Sequence, residues 1–231
     1  MKVASFLFAV LFAASLTFAQ SEMAPRNSKG DPIPADTIRP QNFPYPTAFN
    51  FNYSTVPGMN GGTVGAMFLN GKYYFNRWNS TMMYRYNPDG PGGGPGTLSD
   101  SITYQGSVRD LATDGQFLYG GNATATLYKM DPSTMATVAT ITLTGGSTRA
   151  VAYDPSRGGI WNTNFSGNIF LHSLTGTLLQ TITSPLTGKY GMAYDSVPGQ
   201  PAYLWVWNQV TGGLSNSLHK INIATGAEEV N

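Results

Sequence analysis

Cysteine is absent from the 231 residues of the chain, and charged residues make up 11% of them. The absence of cysteine excludes a disulfide scaffold, a thiolate metal site and a cysteine nucleophile. Globular chains average roughly 25% charged residues, so the surface must be polar but largely uncharged. The 13 basic and 12 acidic side chains nearly cancel, and no basic run provides the electrostatic footprint of a nucleic-acid-binding protein. We therefore expect no nucleic-acid partner.

Motifs for catalysis and metal binding are also scarce. The two histidines, His172 and His219, have no H-x-H or H-x-x-x-H spacing, and we expect structural roles for both. No Gly-x-Ser-x-Gly elbow occurs, and the glycine-rich run over residues 90–96 lacks the Lys-Ser or Lys-Thr of a phosphate loop. The sequence therefore predicts no catalytic residue, no metal site and no cofactor.

The longest apolar run lies at the N-terminus. Residues 4–18 are uncharged and mostly apolar, and they follow a short basic start. This pattern is typical of a signal peptide over residues 1–19, cleaved between Ala19 and Gln20. The run is shorter than the roughly 20 apolar residues of a membrane span, so we expect no transmembrane segment after signal removal. The expected location is secreted and extracellular, or periplasmic or at the cell surface.

Prolines concentrate in the next segment, residues 20–46. Because this segment has little periodic hydrophobicity, it cannot bury enough apolar surface to offset its ordering entropy, and we expect an extended tether. The remaining residues, 47–231, are predicted to form a repeat domain. It begins with the alternating segment Phe49–Tyr53, which predicts a strand.

The repeat domain contains three copies of a segment that ends in aspartate: Arg109–Asp114, Arg149–Asp154 and Tyr190–Asp195. The aspartates are 40 and 41 residues apart, and strand-like segments separated by turns follow each copy. A weaker first copy has its turn at Asn70-Gly71. A period of 40 to 44 residues with four short strands per unit is typical of β-propeller blades. The sequence predicts an all-β, propeller-like fold with about four four-stranded blades.

These repeats resemble those of secreted bacterial propellers of the YVTN, NHL and gluconolactonase-like kind. The shared pattern is a strand ending in Asp, a glycine turn, an aromatic strand and an Asp-Pro-x-Thr type of hairpin, here at Asp131–Thr134. The Gln-headed mature start and the proline-rich tether are similar to those of exported proteins of the Bacteroidetes group. Gluconolactonase-like enzymes hold a divalent metal through Glu, Asp and Asn, and streptogramin-lyase-like propellers use a His-Glu pair. The glutamates of this chain lie near its ends, which disfavours both activities: Glu22, Glu228 and Glu229.

The number of blades leaves two alternatives open. The propellers that the repeats resemble have about six to eight blades, so the chain is either a C-terminally truncated copy that stops within its last blade or a small closed ring. In the second case the strand near Phe49–Tyr53 completes the last blade.

Propeller topology places the candidate binding residues. The first strand of each blade lines the channel, and the loop entering it shares one face with the loop between the second and third strands. The expected channel-mouth residues are Arg109, Asp110, Arg149 and Tyr190. The neighbouring loops add Trp78, Asn79, Asn122, Asn164, Phe165 and Asn208.

Two chemical interpretations of this face remain open. Paired arginines favour an anion such as a carboxylate, because the guanidinium group donates two parallel hydrogen bonds, and asparagine with tryptophan or phenylalanine suits carbohydrate. Alternatively, Arg109 pairs with Asp110 or with a neighbouring blade, and the asparagines satisfy turns. The repeated Asp114, Asp154 and Asp195 are expected to cap the turns that follow them.

The sequence predicts a secreted, non-catalytic propeller for binding or surface attachment. The expected partner is a glycan or another polar or anionic molecule at the channel mouth. The alternatives are a lactonase-like or lyase-like propeller enzyme and a passive repeat fragment of a larger exported protein.

Overall fold

A computed structural model describes residues 62–209 and 216–229 of the chain. The predicted signal peptide, tether and strand at Phe49–Tyr53 lie outside the described residues. The described strands are β1 (Thr63–Leu69), β2 (Lys72–Arg77), β3 (Met82–Tyr86), β4 (Leu98–Thr103), β5 (Leu111–Thr113), β6 (Leu118–Gly121), β7 (Thr126–Met130), β8 (Thr137–Thr142), β9 (Ala150–Asp154), β10 (Gly159–Thr163), β11 (Ile169–Ser173), β12 (Leu178–Ile182), β13 (Lys189–Asp195), β14 (Tyr203–Gln209), β15 (Asn216–Asn222) and β16 (Glu228–Glu229). A short 3-10 turn, Pro91–Gly93, lies between β3 and β4.

The strands form four antiparallel sheets of four consecutive strands each: β1–β4, β5–β8, β9–β12 and β13–β16. The first strands of all four sheets line a common central cavity. This arrangement is a four-blade β-propeller, and it confirms the predicted all-β fold with four four-stranded blades. None of the helical residues in the described part forms a helix long and apolar enough to cross a membrane.

Strand position explains the residue pattern within a blade. The second strands are largely buried, as in β14, where five of the seven positions are apolar or aromatic. Leu204 and Val206 of this strand pack against the third blade. The fourth strands are largely exposed, and those of the first two blades, β4 and β8, are rich in threonine and serine. Threonine suits such a half-buried pleated surface because its branched side chain packs well there.

Three of the four hydrophobic core clusters in the described residues lie between adjacent blades, and the fourth lies within the first blade. Met67 and Met83 of the first blade pack with Leu118 of the second. Tyr119 and Leu127 pack with Val151 and Ile160 of the third blade. Sheets that are consecutive along the chain therefore bury their facing surfaces against each other, because a single four-stranded sheet cannot cover both of its own faces.

The repeated aspartates join the first and second strands of three blades. Asp114 Oδ1 accepts hydrogen bonds from the backbone N–H groups of Gln116 and Phe117 at 2.8 and 2.7 Å, so it caps its turn as expected. Its second oxygen accepts from the Tyr119 hydroxyl at 2.7 Å. Asp154 repeats both contacts, with Trp161 Nε1 donating at 3.1 Å. In the last blade Trp205 Nε1 donates to Asp195 at 3.1 Å.

A register shift recurs where the third strand pairs with the fourth. It falls between Arg85 and Tyr86, between Lys129 and Met130, and between Leu171 and His172. Such bulges twist an edge strand and interrupt its hydrogen-bonding ladder. The outer edges of these three blades are therefore poor templates for pairing with another chain.

Candidate functional site

Six of the ten residues predicted for the channel mouth lie together at one end of the ring. Each of the four blades contributes at least one of them, from the start of its inner strand or from its second hairpin. We call this set the arginine–aromatic cluster: Trp78, Asn79, Arg109, Arg149, Phe165 and Tyr190.

The two arginines occupy equivalent positions at the entrance of two inner strands. The backbone N–H of Arg109 donates to the carbonyl of Gly121 at 2.7 Å, and that of Arg149 donates to the carbonyl of Thr163 at 3.0 Å. Each bond adds one rung to the ladder between the inner strand and its neighbour. Both side chains therefore leave the backbone at the same level, at the mouth of the channel.

The guanidinium group of Arg109 lies on an indole ring. Its Cζ is 3.5 Å from the centroid of the Trp78 ring, and its Nη2 donates to Asn79 Oδ1 at 3.0 Å. Asn79 has a φ of +50°, a left-handed conformation that asparagine tolerates in turns. Within the described part of the chain, Nε and Nη1 of Arg109 are buried without a hydrogen-bond partner.

Arg149 is almost completely buried among aromatic rings. Its side chain is 3% exposed, and its Cζ lies 3.3 Å from the Phe165 centroid, 4.5 Å from Tyr190 and 5.0 Å from Trp78. Phe165 and Tyr190 pack edge to face with centroids 4.8 Å apart. Burial lowers the pKa of Arg149, and the charge of Arg109 lowers it further. Guanidinium groups nevertheless stay protonated in proteins.

Neither arginine is neutralised by a carboxylate among the residues that the structure describes. The ion pairs found there are Arg85–Asp100, Arg157–Asp154, His219–Glu228 and Lys220–Glu229. Two positive charges therefore share the channel mouth. Cation–aromatic contacts stabilise them by about 0.5–2 kcal/mol each. Nε and Nη1 of Arg109 and Nε of Arg149 have no hydrogen-bond acceptor among the described residues.

Asp110 follows Arg109 in the chain but does not pair with it. Its side chain is 3% exposed. Its Oδ1 accepts from the backbone N–H of Leu111 at 3.0 Å, and its Oδ2 accepts from those of Val151 at 2.9 Å and Met192 at 3.2 Å. Burial raises the pKa of Asp110 to about 8, although the three backbone hydrogen bonds oppose the shift. This predicted site residue thus joins the inner strands of three blades.

Lys189 belongs to the same end of the channel and was not singled out in the sequence. It is fully buried, its Nζ donates to the carbonyls of Gly167 and Leu186, and its backbone N–H donates to the carbonyl of Phe165 at 3.1 Å. Burial lowers the pKa of Lys189 to about 8. The sequence signal was the residue directly before each repeated segment. It is Lys189 before Tyr190, whereas it is Val108 before Arg109 and Thr148 before Arg149.

The remaining predicted asparagines serve their own loops. Asn122 Oδ1 accepts from the Thr124 hydroxyl at 2.8 Å, and Asn164 Oδ1 accepts from the Phe165 N–H at 2.8 Å. Asn208 is 7% exposed, and its amide nitrogen, oriented toward the neighbouring loop, donates to the carbonyl of Gly188 at 3.2 Å. In the described residues no hydrogen bond joins these three side chains to either arginine.

A second set of buried asparagines escaped the sequence analysis. Asn76 and Asn162 are fully buried on the second strands of two blades. Asn76 Nδ2 donates to the carbonyl of Val108, directly before Arg109. A Cβ atom at Gly65 would lie 2.5 Å from Asn76 Oδ1, so the inner strand needs glycine there. The signal was a repeated aromatic-Asn dipeptide at the end of the second strand: Phe75-Asn76, Trp161-Asn162 and Trp207-Asn208.

Both histidines have hydrogen-bonded partners. His172 is fully buried and lies between Asn162 Nδ2 at 2.8 Å and the carbonyl of Thr144 at 2.9 Å. The carbonyl requires a proton on Nε2, so Nδ1 accepts from the amide. His219 Nδ1 lies 2.6 Å from Glu228 Oε1. Within the described ranges, no group of three or more His, Asp or Glu side chains is placed to hold a metal ion.

The two ends of the channel carry opposite charge. Three inner strands begin at or just after a basic residue: Arg109, Arg149 and Lys189. The same strands end at or just before an acidic one: Asp114, Asp154 and Asp195. The inner strand of the first blade, β1, has no charged residue in either place. Asp154 is paired with Arg157, so the acidic end is partly neutralised, whereas an anion is attracted to the arginine end.

No protein-family model and no curated protein matches this sequence. Many solved structures match the fold, and two of them align as follows. The structure of U3-55K aligns with a TM-score of 0.51 and 9% identity over 73% of this chain and 51% of its own. The crystal structure of RRP9 WD40 repeats aligns with the same score and identity over 73% of this chain and 50% of its own. The chain thus spans about half the length of these structures, and likeness at such low identity indicates the propeller fold alone.

Proposed function

We propose that this protein is a secreted, non-catalytic binding propeller whose arginine–aromatic cluster recognises a carboxylate-bearing glycan. The observation that carries the proposal is the pair of guanidinium groups, Arg109 and Arg149, placed on aromatic rings at the channel mouth without a carboxylate partner among the described residues.

The unpaired charge argues for an anionic ligand. Removing a charged group from water is costly unless a partner of opposite charge or hydrogen-bond acceptors compensate for it. Arg149 is 3% exposed, and its Nε has no acceptor in the described part. A carboxylate bound at the mouth would neutralise this charge, and a planar guanidinium group fits its two oxygens.

The aromatic rings argue for a saccharide rather than a free inorganic anion. Trp78 is 40% exposed and Phe165 is 36% exposed, so each presents part of a ring to solvent beside a guanidinium group. The apolar face of a sugar can stack on such a ring while its carboxylate reaches the arginine. The loops that hold these rings are fixed by backbone hydrogen bonds, including Lys189 N–H to the Phe165 carbonyl, so little entropy is lost on binding.

The signal-like start and proline-rich segment of the sequence support export of the protein. A glycan ligand outside the cell is consistent with that location. The enzymatic alternative needs a carboxyl group free for proton transfer at the mouth. Asp110 is the carboxyl nearest to the arginines in sequence, and both of its oxygens accept backbone hydrogen bonds.

The proposal is tested by screening the secreted protein on an array of acidic and neutral oligosaccharides, followed by calorimetry on acidic oligosaccharides that bind. Arg149→Gln and Arg109→Gln should each weaken binding about tenfold or more, because a charge-assisted hydrogen bond contributes about 1.5–3 kcal/mol. Binding should also weaken with added salt.

Arg157→Gln is the matched control. Arg157 also lies over an aromatic ring, 4.8 Å from the Trp161 centroid, but it pairs with Asp154 at 2.7 Å at the opposite end of the channel. Its substitution should leave affinity unchanged. Equal binding of neutral and acidic oligosaccharides, or wild-type affinity in both Arg109→Gln and Arg149→Gln, would refute the proposal.

A further inference from the structure

Asp110 lies where the inner strands of three blades approach one another. Its Oδ2 accepts from Val151 N–H at 2.9 Å and from Met192 N–H at 3.2 Å. Val151 is two residues after Arg149, and Met192 is two residues after Tyr190. Asp110 itself directly follows Arg109. One carboxyl group therefore connects the three backbone segments that carry Arg109, Arg149 and Tyr190.

We propose that Asp110 is a positioning residue, which holds Arg109, Arg149 and Tyr190 at the separation that the bound carboxylate requires. This inference rests on the proposed function. Asp110 does not contact the ligand in this scheme, because both of its oxygens are occupied by backbone donors. It acts through the strands.

The free inner edges of the strands explain why this position controls the geometry. β9 pairs only with β10, and β13 pairs only with β14. The N–H groups of Val151 and Met192 point away from those partners, into the channel, where an edge strand has no ladder to join. The Asp110 carboxyl satisfies both. It thus supplies the cross-channel hydrogen bonds that side-chain packing between adjacent blades does not provide.

Neighbouring hydrogen bonds also hold the segments that carry the arginine–aromatic cluster. Asn76 Nδ2 donates to the carbonyl of Val108, two residues before Asp110. Lys189 holds the loop of Phe165 from the other side. A shift of the β9 entrance relative to β5 would change the distance between the two guanidinium groups directly. Binding sites held to within about 0.5 Å depend on such supporting contacts.

Three variants test the inference at pH 6. Asp110→Ala removes every acceptor. Asp110→Leu removes the acceptors but fills the space. Asp110→Asn keeps one oxygen, which can face Val151 and Met192, and serves as the conservative rescue. Asp154→Ala is the matched control, because Asp154 is buried at the opposite end of β9 and its loss should destabilise the fold without moving the mouth.

Two readouts separate positioning from general stability. The first is affinity for a trigalacturonate probe by calorimetry. The second readout needs no ligand and is the NMR chemical shift of the Nε–Hε groups of Arg109 and Arg149. The Cζ atoms of these arginines lie 3.5 Å from the Trp78 centroid and 3.3 Å from the Phe165 centroid, so the ring currents should displace both signals. Folded Asp110→Ala or Asp110→Leu should lose affinity at least tenfold and lose the ring-induced shifts. Asp110→Asn should stay within about threefold, and Asp154→Ala should keep wild-type affinity and shifts.

The results distinguish failure of the positioning role of Asp110 from failure of the proposed function. Wild-type affinity and shifts in a folded Asp110→Ala or Asp110→Leu variant overturn the positioning role. If neither variant folds, Asp110→Asn decides: loss of its affinity and shifts, despite the retained oxygen, also overturns it. If wild-type protein binds no acidic saccharide, the proposed function fails on its own. The arginine signals then still test whether Asp110 sets the geometry of the cluster.

Discussion

Raising the pH from 4 to 8 should destabilise this fold mainly through Asp110. The pKa of this carboxyl is raised from 3.8 to about 8 by burial. The folded state therefore keeps the proton between these two values, while the unfolded state releases it. Because the folded state binds more protons in this window, the free energy of unfolding falls as the pH rises and levels off above pH 8.

The size of the effect follows from the shift. About four pH units at 1.36 kcal/mol each correspond to a loss of about 5–6 kcal/mol between pH 4 and pH 8. That is comparable with the whole stability of a small domain, about 5–15 kcal/mol. Lys189 does not contribute here, since its pKa is lowered from 10.5 to about 8 and it is charged in both states below pH 8.

The assay is urea unfolding followed by tryptophan fluorescence at half-unit steps from pH 4 to 9. Asp110→Asn is the comparison, because the amide has a similar shape and does not titrate. Wild-type protein should lose stability relative to Asp110→Asn by close to 1.4 kcal/mol per pH unit across the middle of the window. Parallel curves for the two proteins would show that Asp110 is ionised in the folded state and that burial does not dominate its pKa.

Two further predictions concern other buried groups. Trp161→Phe keeps an aromatic ring but removes part of a fully buried indole together with the 3.1 Å hydrogen bond from Nε1 to Asp154; it should cost at least about 1.5–3 kcal/mol in urea unfolding, and a loss below 0.5 kcal/mol would show that the bond is dispensable. For Lys189, the lowered pKa means that the folded state releases its proton first, so the free energy of unfolding should rise between pH 8 and 10.5. Lys189→Met should abolish that rise, and a rise retained in the variant would assign it to another group.

The blade architecture was predictable because the same short-range contacts recur in successive blades. Asp114 and Asp154 each end an inner strand, cap a turn and bind an aromatic side chain a few residues later. Every partner lies within seven residues, so the period shows directly in the sequence. The convergence of Arg109, Arg149 and Trp78 followed from topology, since equivalent loops of a propeller share one face.

The roles of Asp110 and Lys189 were not predictable in the same way. The N–H groups that bind Asp110 lie 41 and 82 residues away in sequence, and they belong to apolar residues with no distinguishing side chain. Lys189 is held by loop carbonyls, which every residue possesses. An acidic residue beside an arginine indicates a salt bridge in the sequence, whereas the three-strand junction that replaces it exists only after the blades assemble.

The opposite charges at the two channel ends give the ring a direction. Arg109 and Arg149 lie at one mouth and Asp114 and Asp195 at the other, in a chain whose total charge is +1. Within the described residues this arrangement directs the positive side chains of the channel to one mouth. If the proposed function is correct, an acidic saccharide surface would turn the arginine mouth toward itself.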